Sequence, residues 1–319
     1  MIVYDVLTFG EAMGMFIAEE PGQLASVRHF TKELAGAETN VAIGLSRLGY
    51  RVLWLSKVGT DPLGDYIIQE LQREKVDTSL IKRDEENLTG FQLKEKVSEG
   101  DPGVYYYRKN SAASLMGIKD FPELREMHAK HYHLTGIPLA LSPSVRELSE
   151  AFIQKAKKEG SIVSFDPNLR PSMWKDEKTM AETIQRYACQ ADIVFPGIKE
   201  GKILTGYQAP EDIANDYLER GAKMVFVKLG AKGAYVATEK KAHTVPGFPV
   251  TKVVDTVGAG DGFAAGVLSG LFDGLTPFEA AERGNAIGAL QTMSSGDKNG
   301  LPTREELLAF MNGHSVKNG

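Results

Sequence analysis

In the C-terminal half, short apolar runs rich in β-branched and aromatic residues alternate with longer stretches of helical period. The runs fall at 162–165, 193–195 and 224–228. This alternation predicts parallel strands joined by crossover helices, and hence an α/β class. The N-terminal third reads differently. A first strand at 5–9 and a helix at 39–48 are separated by a segment without a strong helical period. Further β-like pieces at 90–97 and 104–107 flank the polar turn at 98–103. These pieces are too short and scattered to form a domain of their own. They predict a small β-sheet inserted from about 11–35 and 88–110 into one domain spanning 1–319, and such a sheet needs something to cover. No internal repeat, low-complexity tract or Pro-rich linker interrupts the chain.

Composition narrows the class without changing it. With 319 residues, 42% of them hydrophobic, the chain can bury a full core. Its 42 acidic and 37 basic residues are spread along the sequence, so no basic stripe suggests a nucleic-acid partner. Cys189 is the only cysteine, which excludes disulfides and zinc–cysteine sites and fits a reducing compartment. The first 20 residues carry acidic side chains but no lysine or arginine, unlike a secretory leader. No apolar run approaches the roughly 18 residues of a membrane span. The expected setting is the cytoplasm.

The segment richest in chemistry is Val253-Val254-Asp255-Thr256-Val257-Gly258-Ala259-Gly260-Asp261-Gly262-Phe263, followed by a helix of small residues at 264–271. Strand-like residues run into a glycine turn, and a helix opens after it. Around Ala259, Gly258 and Gly260 let the backbone approach a ligand and present N–H groups at the helix N-terminus, where the dipole favours an anion. Asp261, in the first turn, points its carboxylate into the same space. It would repel a resting phosphate, which makes sense if its task is to take a proton from an attacking hydroxyl. From the residues alone, a helix N-cap beside a tight turn stands as the alternative. No G-x-x-x-x-G-K-[ST] sequence occurs, and Gly10 and Gly14 have the wrong spacing for a dinucleotide fingerprint.

The segment 255–261 resembles the C-terminal signature of the ribokinase-like carbohydrate kinases. Gly36-Ala37-Glu38-Thr39-Asn40-Val41-Ala42, Leu45-Ser46-Arg47-Leu48-Gly49 and Val58-Gly59-Thr60-Asp61-Pro62-Leu63-Gly64 resemble the N-terminal one. The resemblance covers essentially the whole chain. It implies a three-layer α/β/α core with a mainly parallel sheet and a small β-sheet lid. It also implies ATP and Mg2+ as cofactors, a sugar substrate and a homodimer paired through the lid. Asp261 becomes the general base and 258–260 the anion hole, with Gly36, Ala37 and Asn40 on the sugar. A nucleotide site follows at Lys228, Gly230, Gly233 and Asn285, where an ordinary turn with solvent-facing lysines and a satisfied core amide are the plain alternatives. Glu200 is implied to organise Mg2+ indirectly. Gly197 stands where relatives carry the asparagine of Asn-x-x-Glu. Asp255 is implied to lie beside a monovalent cation such as K+.

Two arginine-bearing motifs bear on the sugar: Tyr105-Tyr106-Tyr107-Arg108 and Asp166-Pro167-Asn168-Leu169-Arg170. Two guanidinium forks suit an acid sugar better than a neutral one, with Tyr106 and Asn168 as companions. Both motifs also resemble those of fructokinases. The segment 36–40 is similar to that of 2-keto-3-deoxygluconate kinases, whereas fructokinases more often show Gly-Ala-Pro-Ala-Asn there. Gln92 stands where some acid-sugar kinases have a tyrosine. The readings weighed against a kinase are a silent sugar or nucleotide sensor, which has no need of Asp261, and an NAD-dependent dehydrogenase, which lacks its fingerprint.

Overall fold

Along each core strand, successive side chains enter opposite hydrophobic layers. Val6 joins one layer and Leu7 the other, Trp54 one and Leu55 the other, Phe226 one and Val227 the other. This two-sided burial requires helices on both faces of a sheet. The computed structural model describes residues 3–97 and 102–315, so most of the turn at 98–103 lies outside the described residues.

The strands are β1 (Val3–Phe9), β2 (Met13–Ala18), β3 (Phe30–Ala35), β4 (Val52–Gly59), β5 (Asp77–Asp84), β6 (Phe91–Lys94), β7 (Val104–Tyr107), β8 (His128–Thr135), β9 (Ile162–Asp166), β10 (Ile193–Val194), β11 (Met224–Lys228), β12 (Ala234–Thr238) and β13 (Ala242–Val245). The helices are α1 (Ala37–Arg47), α2 (Pro62–Arg73), α3 (Gly136–Leu141), α4 (Pro143–Glu159), α5 (Glu177–Ala188), α6 (Ile198–Thr205), α7 (Pro210–Glu219), α8 (Ala259–Phe272), α9 (Pro277–Thr292) and α10 (Arg304–Ser315).

The large sheet has the order β13-β12-β11-β10-β9-β8-β1-β4-β5. It is parallel from β11 to β5, and β12 and β13 add an antiparallel edge. Helices α4, α5 and α7 bury their apolar stripes on one face, and α1, α2, α8 and α9 on the other. This is the three-layer arrangement expected from the sequence. A second sheet, of order β3-β2-β6-β7, stands apart from it. Its two hairpin-like halves leave the chain just after β1 and after β5.

Most helix starts are closed by their own residues. Asp61 accepts the Leu63 and Gly64 N–H groups before α2, and Thr276 with Glu279 forms a capping box on α9, each with proline in the first turn. Helix α8 is different, because Gly258 at its N-cap supplies no side chain. Along its length α8 lies directly on α9. A Cβ at Gly266 would come within 2.6 Å of the Gly284 Cα, and one at Gly270 within 2.8 Å of the Ala280 Cα.

One sequence expectation fails here. Val253 and Val254 form no strand: the residues are 57% and 51% exposed, and among the described residues the amides of Val254 and Asp255 bond only the Thr292 carbonyl. β-Branched residues favour a strand only where a neighbour offers a ladder, and among the described residues none lies beside this segment.

Candidate active site

Chain order reverses between β1 and β8, with β4 and β5 on one side and β9 to β11 on the other. The crevice at the carboxyl ends of such strands is where open α/β sheets bind ligands. Two cavities lie there, of about 680 Å³ and about 500 Å³, and both are lined by Lys228, Thr256 and Gly260. The larger also takes residues from the second sheet, among them Gln92, Lys94 and Tyr106.

The shared wall is the start of α8. Gly258 has φ 77°, and a Cβ there would lie 2.3 Å from the Asp297 carbonyl oxygen, so only glycine fits. Gly260 is an ordinary helical residue. A Cβ on it would meet nothing nearer than the Lys228 ammonium at 3.6 Å. Of the two glycines only Gly258 has a left-handed backbone, and Gly260 matters for the space it leaves. Among the described residues nothing accepts from the Gly260 or Asp261 amides, the orphan donors of a helix start.

Asp261 is not the N-cap; it sits in the first turn and lines the larger cavity. Asn40 Nδ2 donates to its Oδ2 at 2.8 Å, and Asn168 Nδ2 lies 3.5 Å from its Oδ1. Burial raises its pKa above the usual carboxylate value, against the Asn40 hydrogen bond and the charges of Arg170 and Lys228, which lower it. Asn168 reaches this position in a left-handed conformation, φ 40°. Lys228 donates to Asp166 at 2.6 Å. Burial pulls the ammonium's pKa down, but the carboxylates of Asp166 and Glu200 outweigh it and leave it raised, so a fixed positive charge stands beside Gly260.

Gly36, Ala37, Asn40, Gln92, Tyr106, Arg108, Asn168 and Arg170 all face the larger cavity. The two arginines are not equivalent. Arg108 is committed to Glu11, with Nε 2.7 Å and Nη2 2.5 Å from a carboxylate oxygen whose side chain is fully buried. Arg170 spends one N–H on the Leu169 carbonyl at 2.9 Å and is otherwise exposed to the cavity.

The structure adds residues that the sequence did not single out. Glu38 is fully buried, donated to by the Thr135 hydroxyl, and burial pushes its pKa up to about 7. Asp297, also in the cavity wall, is raised to about 7 by burial against the Lys94 ammonium. Glu38 Oε2, Asn40 Oδ1 and Asp297 Oδ1 are buried without a hydrogen-bond partner among the described residues.

The smaller cavity is an apolar slot between Phe248, Pro249, Val250 and Phe263, closed by Gly230, Gly233 and Ala259. Asn285 lines it, but its amide donates to the Val245 and Pro246 carbonyls at 3.1 and 3.0 Å, leaving its oxygen for a ligand. Glu200 accepts the Gly197 N–H at 2.7 Å and the Leu169 N–H at 2.8 Å, which ties two site-forming turns together. With no asparagine at 197, this helix is capped from its third residue back to a glycine. Asp255 lines neither cavity and holds the Lys94 ammonium at 2.6 Å.

Known proteins share this architecture. The chain is 53% identical over 308 residues to a 2-dehydro-3-deoxygluconokinase of Bacillus subtilis (strain 168), covering 96% of this chain and 95% of that one. A crystal structure of a PfkB protein from Polaromonas sp. JS666 superposes with TM-score 0.88 at 46% identity, over 96% of this chain and all of that one. An E. coli protein assigned as a ribokinase II, solved with ATP and Mg2+, gives TM-score 0.89 at 27% identity over 98% of this chain and 100% of its own. The model of the pfkB family of carbohydrate kinases matches residues 4–304, and to that family of ATP-dependent sugar kinases the chain belongs.

Proposed function

We propose that the chain transfers the γ-phosphoryl group of ATP to the 6-hydroxyl of 2-keto-3-deoxygluconate (2-dehydro-3-deoxygluconate), giving the 6-phosphate and ADP. The observation that carries this reading is the meeting of the two cavities at Gly260. ATP in the smaller cavity points its phosphates at the α8 amides and Lys228, and the sugar in the larger one lies against Asp261. As the sugar oxygen bonds to phosphorus and the bond to the ADP oxygen breaks, Asp261 takes the hydroxyl proton. The Gly260 and Asp261 amides and the Lys228 ammonium stabilise the charge on the transferring group.

Several features favour an acid sugar. Arg170 has guanidinium N–H groups free for a carboxylate, and the unpartnered oxygens of Glu38, Asn40 and Asp297 suit a polyhydroxylated ligand. The 53% identical relative bears the name of this activity. Magnesium, present with ATP in the E. coli structure, would be held here chiefly by the phosphates, and Glu200, which lines the larger cavity, would contribute indirectly by its charge and by fixing the turns at Leu169 and Gly197. Among the described residues no three His, Cys, Asp or Glu side chains are grouped to hold a metal themselves. When bound it neutralises phosphate charge. The second sheet serves in this reading as the lid of a single-domain kinase. The exposed Tyr105, Tyr106 and Tyr107 of β7 support the reading of this sheet as the surface for a homodimer. A cytoplasmic setting goes with ATP as donor.

The test is ADP formation with 2-keto-3-deoxygluconate, fructose and other sugars or sugar acids. Efficient turnover of the acid sugar is expected. A clear preference for fructose overturns the substrate assignment.

A further inference from the structure

Lys94 comes from the second sheet yet reaches the turn that leads into α8. It is 4% exposed, and its Nζ lies 2.6 Å from Asp255 Oδ2. The other oxygen, Asp255 Oδ1, accepts the Val257 N–H at 3.1 Å, and so shapes the turn that presents Gly258. Both oxygens are thus engaged, one by a buried cation and one by the backbone. A free monovalent cation such as K+ beside Asp255 does not fit this arrangement, because the Lys94 ammonium already holds the place.

We propose that the Lys94 ammonium is a built-in counter-cation for Asp255 that fixes the turn before α8, so that the phosphate end of the site forms without K+ and only when the second sheet is seated. Lys94 acts through Asp255 and is a positioning residue. The physical requirement is plain: an uncompensated carboxylate next to the place where phosphate charge gathers would repel it, and burial would strengthen that repulsion. The ammonium removes the repulsion, and because it is carried by β6, it makes the anion site dependent on the sheet that covers the sugar. The kinetic part of this proposal rests on the assignment of the α8 start as the phosphate site.

Turnover with the sugar that wild type accepts is measured in tetramethylammonium buffer, then with K+ or methylammonium added, for wild type, Lys94→Ala and Lys94→Arg. Wild-type kcat is expected to change less than about twofold, because no vacancy awaits the added ion. Lys94→Ala is expected to lose about 10- to 150-fold, the worth of one charge-assisted hydrogen bond, and to regain a large part with K+ or methylammonium. Lys94→Arg keeps the cation independence of wild type. A wild type that K+ stimulates more than about tenfold refutes the proposal. So does Lys94→Ala with wild-type turnover, or with a loss that neither cation relieves.

A second readout needs no substrate and separates this proposal from the sugar assignment. Hydrogen exchange of the 254–257 amides and of β6 is expected to quicken in Lys94→Met, and adding Asp255→Asn is expected to change it little further, since the two residues act as one pair. Unchanged exchange at those amides overturns the proposal even in a chain that phosphorylates a different sugar.

Discussion

Replacing Arg170 and Arg108 one at a time by alanine separates two kinds of loss. Among the described residues Arg170 keeps a single internal hydrogen bond, to the Leu169 carbonyl at 2.9 Å, so its removal frees one neighbouring backbone carbonyl and leaves no charged partner without its counter-charge. A lost charge-assisted hydrogen bond to the substrate carboxylate is worth roughly 1.5 to 3 kcal/mol, which raises KM for 2-keto-3-deoxygluconate by about 10- to 150-fold. The melting temperature stays near that of wild type. Arg108 presents the opposite case. Its truncation leaves Glu11 buried with, among the described residues, only Ser111 as a side-chain partner, at 2.5 Å, and breaking such a pair costs about 3–5 kcal/mol of stability. Arg108→Ala is therefore expected to melt well below wild type whatever happens to KM, whereas Arg108→Ala with Glu11→Gln regains much of the loss. Steady-state kinetics on the acid sugar and on fructose, with thermal melts of each variant, make the comparison. Arg170→Ala with wild-type KM for the acid sugar refutes the carboxylate contact. Arg108→Ala with wild-type stability refutes the assignment of Arg108 as a structural counter-charge.

Asp261→Asn keeps the shape of the site but cannot take the proton, so kcat is expected to fall by about 10²- to 10⁴-fold with sugar binding retained by calorimetry. In wild type, the acid limb of the kcat/KM profile should lie above the ordinary carboxylate pKa, because burial raises Asp261 and the enzyme gains activity as that group ionises. Gly260→Ala should fold normally and lose turnover, since its methyl enters the space beside Lys228, whereas Gly258→Ala should also lose stability against the Asp297 carbonyl; melts and kcat together distinguish them. Glu38, raised from 4.5 to about 7, holds its proton in the folded state over a range where the unfolded chain has released it. The stability it confers is full below pH 4.5 and is lost as pH rises toward 7, by about 3 kcal/mol, and Glu38→Gln should flatten that dependence in denaturant titrations across pH.

The parts of the fold legible in the sequence are those fixed by local pattern. The runs at 104–107 and 224–228 coincide with β7 and β11, and the helix read at 39–48 overlaps α1. The antiparallel edge of β12 and β13 escapes such a reading because its strands are only five and four residues long, and Ala234, Ala237 and Ala242 interrupt their β-branched and aromatic residues. The false strand at 253–254 is the converse case: suitable residues without a neighbouring ladder. For the site, the glycine pattern marks the start of α8, and the paired motifs lead to residues that the fold gathers into one cavity. Lys94 and Asp297 stay hidden. Lys94 reads as an ordinary strand lysine, and its partner is 161 positions away. Asp297 reads as part of a surface turn, and it reaches the cavity because Arg47 donates to the Lys298 and Leu301 carbonyls, more than 250 positions away. Burial and unpaired oxygens identify such residues, and both emerge only from the folded chain.

The contact of α8 with α9 divides the molecule by its tolerance for change. Gly266 and Gly270 let the two helices touch backbone to side chain or backbone to backbone, so any added carbon there displaces the helix whose start forms the wall shared by the two cavities, the proposed phosphate site. The side chains lining the larger cavity, the proposed sugar site, such as Gln92, Tyr106 and Arg170, come instead from a thin sheet and a turn. Selection for new sugar acceptors can therefore explore one wall of the cavity while the phosphate wall stays frozen. Libraries randomised at Gln92, Tyr106 and Arg170 should yield folded enzymes with altered acceptors, and libraries at Gly266 and Gly284 should yield mostly inactive chains.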